Sequence, residues 1–109
     1  MTAKVVDSSA KYFAHLEVRE SQSDMITDGI EALLCEGTLL ASAPTGIGKT
    51  AASLASAIYV QRSSSDNLKI LFLTGRQSQH RIVVDTVQKI NQKLGTTEPR
   101  IRLVDLIGR

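Results

Sequence analysis

Ala43-Pro44-Thr45-Gly46-Ile47-Gly48-Lys49-Thr50 is the stretch on which the reading of this 109-residue chain turns. It follows an apolar run, Thr38-Leu39-Leu40-Ala41-Ser42, and opens an alanine-rich segment, Ala51 to Tyr59, that reads as a helix. A strand, a glycine-containing loop and a Lys-Thr pair opening a helix form the context expected of a phosphate-binding loop. Gly46 and Gly48 let the backbone turn tightly, so that several N–H groups face inward as an anion nest. The helix beginning near Lys49 adds the partial positive charge of its N-terminus. In this reading the Lys49 ammonium reaches the β- and γ-phosphates of ATP, the Thr50 hydroxyl ligates Mg²⁺, and Thr45 adds a donor. Pro44 and Ile47 complete the loop. Position 43 is Ala where the G-x-x-x-x-G-K-[ST] pattern has Gly, but the second glycine, the lysine and the threonine carry the contacts.

Upstream, Ile26, Ile30, Leu33 and Leu34 recur at i, i+4, i+7 and i+8, which predicts one apolar stripe on a helix from about Glu20 to Glu36. Gln22, Ser23, Asp24, Asp28 and Glu31 are assigned mostly to its other faces. Gly37 supplies the expected stop, and Cys35 reads as a small buried hydrophobe. Downstream, a helix is expected over roughly Lys49 to Gln61, anchored by Leu54, Ile58 and Tyr59. Ser63 to Asn67 is a loop, and Lys69-Ile70-Leu71-Phe72-Leu73-Thr74 is a strand apolar on both faces. Val83, Val87, Ile90 and Leu94 mark a further amphipathic helix ended by Gly95, and Ile101 to Leu106 is a last strand. Helix and strand thus alternate three times. That order predicts an α/β fold of three layers around a mostly parallel sheet. Val5-Val6 reads as a short strand. Tyr12-Phe13 reads either as packing at the domain edge, favoured for Tyr12, or as cover for one face of a bound base.

The bulk properties are those of one modest globular domain, at 42% hydrophobic and 22% charged residues. A single cysteine excludes an internal disulfide or a multi-cysteine metal site within the chain. No apolar run approaches the roughly 20 residues of a membrane span, and cytoplasmic residence is the expectation. The net charge of +2 is uneven: residues 1–59 carry four Lys/Arg against seven Asp/Glu, and residues 60–109 carry nine against four. A basic second half fits an anionic partner such as a nucleic acid backbone, but scattered surface charge gives the same count, so the asymmetry by itself decides nothing.

Hydrolysis asks for more than the loop. It needs an acid at the end of a neighbouring strand to complete the Mg²⁺ site, and a second acid to orient water. Asp105, after Leu103-Val104, is the one candidate; followed by Leu106, it reads as a strand-end or turn aspartate.

With these segments placed, residues 12–109 resemble the start of an XPD-type superfamily 2 DNA helicase of the iron–sulfur branch. The resemblance rests on Tyr12-Phe13, Val18-Arg19-Glu20-Ser21-Gln22, the 43–50 loop, and Phe72-Leu73-Thr74-Gly75-Arg76-Gln77-Ser78-Gln79. It implies a partial RecA-like domain, the N-terminal part of the first motor domain. It further implies that Arg19 and Gln22 contact the base end of ATP, and that Thr74, Arg76, Ser78 and Gln79 hold single-stranded DNA as helicase motif Ia. The family's arginine follows the threonine directly, whereas here Gly75 intervenes. Ile107-Gly108-Arg109 resembles the close of the third strand. By that alignment the cluster cysteines, the arch, the Asp-Glu-Ala-His motif and the second motor domain lie beyond the chain. The function implied is the ATP-binding segment of an ATP-dependent 5′–3′ helicase of nucleotide excision repair, cytoplasmic or nucleoid-associated and inactive on its own. The alternatives are a DinG-type helicase, another P-loop NTPase, or a nucleotide-binding fragment that hydrolyses nothing.

Overall fold

Hydrogen bonds that close within a turn of chain account for the regular structure of this protein. The computed structural model describes residues 10–14, 20–40, 48–75 and 77–106. Among them the regular elements are a 3₁₀ turn, Ala10–Tyr12, and three α-helices: α1, Glu20–Leu34; α2, Lys49–Ser63; and α3, Gln77–Leu94. The expected strand at Val5-Val6 lies outside the described residues.

α2 is the central helix. It packs broadly along α1, touches α3 more lightly, and meets the 3₁₀ turn, which α3 also contacts. Its composition suits that position. Ala51, Ala52, Leu54, Ala55, Ser56, Ile58 and Val60 are buried, so the helix is covered on most sides and its small residues let neighbours come close. The two helices come close at Gly29 of α1, where a Cβ would stand 2.8 Å from the Ser56 hydroxyl oxygen. Ser56 donates that hydroxyl back to the Ala52 and Ser53 carbonyls, so no polar group is stranded at the crossing.

The predicted stripe of α3 is buried in full, at Val83, Val87, Ile90 and Leu94. Gly95, at φ 57°, ends the helix as expected. In α1 the stripe is buried only at Ile26 and Ile30; Leu33 and Leu34 are exposed, because the packed length of α1 stops before its last turn. The helix ends at Leu34, two residues before the predicted Glu36. Glu36, not Gly37, takes the left-handed conformation (φ 54°). Gly37 N then donates to Ala32 O at 2.7 Å and Glu36 N to Leu33 O at 3.2 Å, the paired bonds of a Schellman end. Cys35, in this turn, is exposed rather than buried.

The sheet is the principal correction. Residues 38–40, 69–74 and 101–106 carry no strand, and no backbone–backbone hydrogen bond joins them to one another among the described residues. The α/β, RecA-like three-layer architecture is therefore not what the chain forms; its described part is all-helical, with irregular connections laid over α2 and α3. Ile70 and Phe72 are far less exposed than Leu71 and Leu73, which stand about 80% exposed, so the side chains alternate as in a strand. Alternation is a property of one segment. A ladder needs a second segment at about 4.8 Å in matching register. What ties these runs down instead is side chains: the Gln61 amide donates to Leu68 O at 2.8 Å, and the Asn91 amide both donates to Ile101 O and accepts from Ile101 N.

The 3₁₀ turn is fastened from three directions. Tyr12 and Phe13 are buried in the core, which decides for packing at both positions. The Tyr12 hydroxyl donates to Glu98 Oε1 at 2.8 Å, Lys11 Nζ lies 3.2 Å from Glu98 Oε2, and Lys93 Nζ donates to the Ala10 and Phe13 carbonyls. Burial alone would raise the Glu98 pKa. The hydrogen bonds from Tyr12 and Lys11 outweigh it and hold the carboxyl below its usual 4.5. A lowered folded-state pKa contributes stability that is present above the unfolded value and lost as pH falls through the folded one. Glu98→Gln is accordingly expected to cost about 1 kcal/mol at pH 7, through the Tyr12 bond in a partly exposed setting. Urea titrations of the two proteins should converge as pH falls below the usual glutamate range. A gap that persists undiminished in acid would show that the charge on Glu98 is not what matters.

Candidate functional site

The N-terminus of α2 gathers four of the residues singled out in the sequence. Gly48 occupies the cap position in the left-handed conformation (φ 74°, ψ 47°), and as a glycine it makes no side-chain cap hydrogen bond among the described residues. The first main-chain bond of the helix runs from Ala52 N to Gly48 O at 3.1 Å. The N–H groups of Thr50 and Ala51 therefore precede any intrahelical acceptor and point out of the helix end. Lys49 is exposed there and Thr50 half-buried. The end is well wound, since the Ser53 hydroxyl donates to Lys49 O at 2.7 Å.

Gln22 joins this group from α1. Placed in the sequence among the polar faces of its helix, it is in fact only 4% exposed, because residues 22, 26 and 30 lie on one line at i, i+4 and i+8. Its amide is pressed against Gly48, so that a Cβ at that position would collide with Gln22 Nε2. The α1–α2 packing thus sets an amide, able to donate and accept, beside an uncapped helix start and a lysine. Such a start carries roughly half a positive charge and suits an anion. Arg19, Pro44, Thr45, Gly46 and Ile47 lie outside the described residues.

Of the proposed DNA-contacting residues, Thr74, Ser78 and Gln79 lie at the turn into α3, and only some face solvent. Ser78 and Gln79 are exposed on the first turn of the helix, and Gln79 Oε1 accepts from Gly75 N at 3.2 Å. The Thr74 hydroxyl oxygen is buried, with no hydrogen-bond partner among the described residues. Arg76 lies outside the described residues.

A pair that sequence reasoning did not join lies close by. His80 Nδ1 and Asp105 Oδ1 are 2.6 Å apart, tying the first turns of α3 to the 101–106 segment. Both line an apolar groove of about 430 Å³ between α2, α3 and the two irregular segments, as does Thr74. The residues are 25 apart in sequence and no local pattern connects them. Asp105 is thus engaged with a histidine. Among the described residues no cluster of three or more His, Cys, Asp or Glu side chains could hold a metal ion, and no helix is long and apolar enough to cross a membrane.

No protein-family model, curated protein or solved structure matches this chain.

Proposed function

We propose that the chain binds the phosphates of a nucleoside triphosphate, ATP by the resemblance of its motifs, at the N-terminus of α2. The observation that carries this reading is the left-handed, uncapped Gly48 ahead of Lys49 and Thr50, with the Gln22 amide packed against it. The first-turn N–H groups and the helix dipole receive phosphate oxygens, Lys49 neutralises the outer phosphates, and Thr50 supplies a hydroxyl to Mg²⁺. Mg²⁺, when bound, supplies charge neutralisation across the β- and γ-oxygens. Gln22, with Arg19 in the preceding segment, addresses the base end. Ser78 and Gln79, with Arg76, form the contact to single-stranded DNA; the buried Thr74 hydroxyl takes no part in it.

In this reading the chain is the ATP-binding segment of a cytoplasmic, ATP-dependent DNA helicase of the excision-repair type. One observation favours nucleotide binding without turnover by the chain alone. Asp105, the acid considered for the Mg²⁺ site, is paired with His80.

Lys49→Ala tests the site directly. Loss of a hydrogen bond to a charged group removes about 1.5–3 kcal/mol, so ATP·Mg affinity measured by calorimetry should fall about 10- to 150-fold. Lys49 is exposed, and the variant should keep the helical circular-dichroism spectrum of the parent. Unchanged affinity in Lys49→Ala would remove the α2 N-terminus from consideration. DNA-stimulated turnover by the parent chain would instead remove the claim that it binds without hydrolysing.

A further inference from the structure

At the opposite end of α2 a second concentration of positive charge has no part in the site above. Arg62 on the last turn of α2, Lys69 in the connection that follows, and Arg100 and Arg102 line one open cleft of about 540 Å³. Asp66 is the one acid lining it among the described residues. Arg62 is drawn toward Glu98 at 4.0 Å, whereas no acidic group lies within ion-pair distance of Lys69, Arg100 or Arg102 among the described residues. These four cations come from three stretches of chain that are brought together only by the fold. The Asn91 hydrogen bonds to Ile101 and the Gln61 bond to Leu68 hold the stretches in place.

We propose that this cleft holds the phosphodiester backbone of a single-stranded nucleic acid. Lys69, Arg100 and Arg102 are exposed, so each gains little from a single small anion in competition with water and salt. A phosphate polymer differs, because every contact releases condensed counterions and the contributions accumulate along the strand. Leu68 and Ile70, partly exposed in the same cleft, offer apolar ground for unpaired bases. Among the described residues no aromatic ring lines it to stack them, so recognition is by backbone charge and independent of sequence. Lys49 and Arg62 are thirteen residues apart on one helix, about 20 Å at 1.5 Å per residue, so the two anion sites are spatially distinct.

The test is binding of a fluorescein-labelled 20-mer of oligo(dT) to the whole chain by anisotropy, across a salt series beginning near 50 mM. Arg100→Gln/Arg102→Gln should weaken binding at least about tenfold at low salt. It should also flatten the slope of log K against log salt by about 1.4, at about 0.7 per lost single-strand contact. Arg81→Gln/Lys89→Gln, an equal loss of charge from exposed positions on α3, should leave the slope nearly unchanged. Equal losses in the two variants would mean diffuse surface charge and overturn the proposal, as would a parent chain that fails to bind at 50 mM salt. Inorganic triphosphate competing as effectively as the oligonucleotide, or preference for the duplex, would overturn the single-strand assignment. Ser78→Ala/Gln79→Ala separates the two DNA surfaces. Loss there with none in the cleft variant would place the strand at the turn into α3 instead. Lys49→Ala, expected to lose ATP but not oligonucleotide, separates this site from the nucleotide site.

Discussion

Phe13→Ala is expected to destabilise the protein by about 3–5 kcal/mol, the cost of removing a fully buried aromatic ring from a packed core. Against the roughly 5–15 kcal/mol that holds a domain together, such a loss is a large fraction of the total. The reason lies in position as well as size. Phe13 follows the 3₁₀ turn that both α2 and α3 contact, and its carbonyl accepts from Lys93 of α3. Emptying that site loosens the turn from both helices at once. Urea unfolding at neutral pH measures the effect, and Phe13→Leu, which keeps most of the volume, should recover more than half of it. If Phe13→Ala kept its unfolding midpoint and lost only nucleotide affinity, the ring would be a cover for a base and not part of the core.

Gly48→Ala should produce the largest combined loss of stability and binding. An alanine held at φ 74° pays about 1–2 kcal/mol for the left-handed backbone. Its methyl group also meets Gln22 Nε2, which is buried and has little room to withdraw. A displaced amide and a distorted first turn should together reduce ATP·Mg affinity by about tenfold or more. The double substitution Gln22→Ala/Gly48→Ala removes the collision and retains the backbone cost. Its stability should exceed the sum of the single effects by about 0.5–3 kcal/mol, the range of coupling between residues in contact. Strict additivity would mean that the amide and the glycine are independent, and that Gln22 is no part of the helix-end site.

How much of this was legible in the sequence depends on the range of the interaction concerned. The stripe Val83, Val87, Ile90 and Leu94 was readable, and so was the end at Gly95, because a helix bonds each residue to one four places away. The beginning of α2 at Lys49 was readable for the same reason. Gln22 could have been placed on the buried line by counting 22, 26 and 30, but a polar side chain is not counted toward an apolar stripe. The runs at 69–74 and 101–106 have the composition of buried strands, yet nothing within either run supplies the partner that a ladder requires. The pairing of His80 with Asp105, the fastening of Tyr12 to Glu98, and the meeting of Arg62 with Arg100 and Arg102 had no local signature.

The amino-acid order alone settled where the helices run, which face of α3 is apolar, and that a glycine precedes a lysine at a helix start, since each follows from interactions spanning a few residues. Folding decided the rest: that Phe13 belongs to the core, that the amide of Gln22 reaches Gly48, and that the apolar runs lie against helices instead of forming a sheet. Those outcomes depend on segments far apart in sequence competing for the same space, and only the packed chain determines which contacts are made.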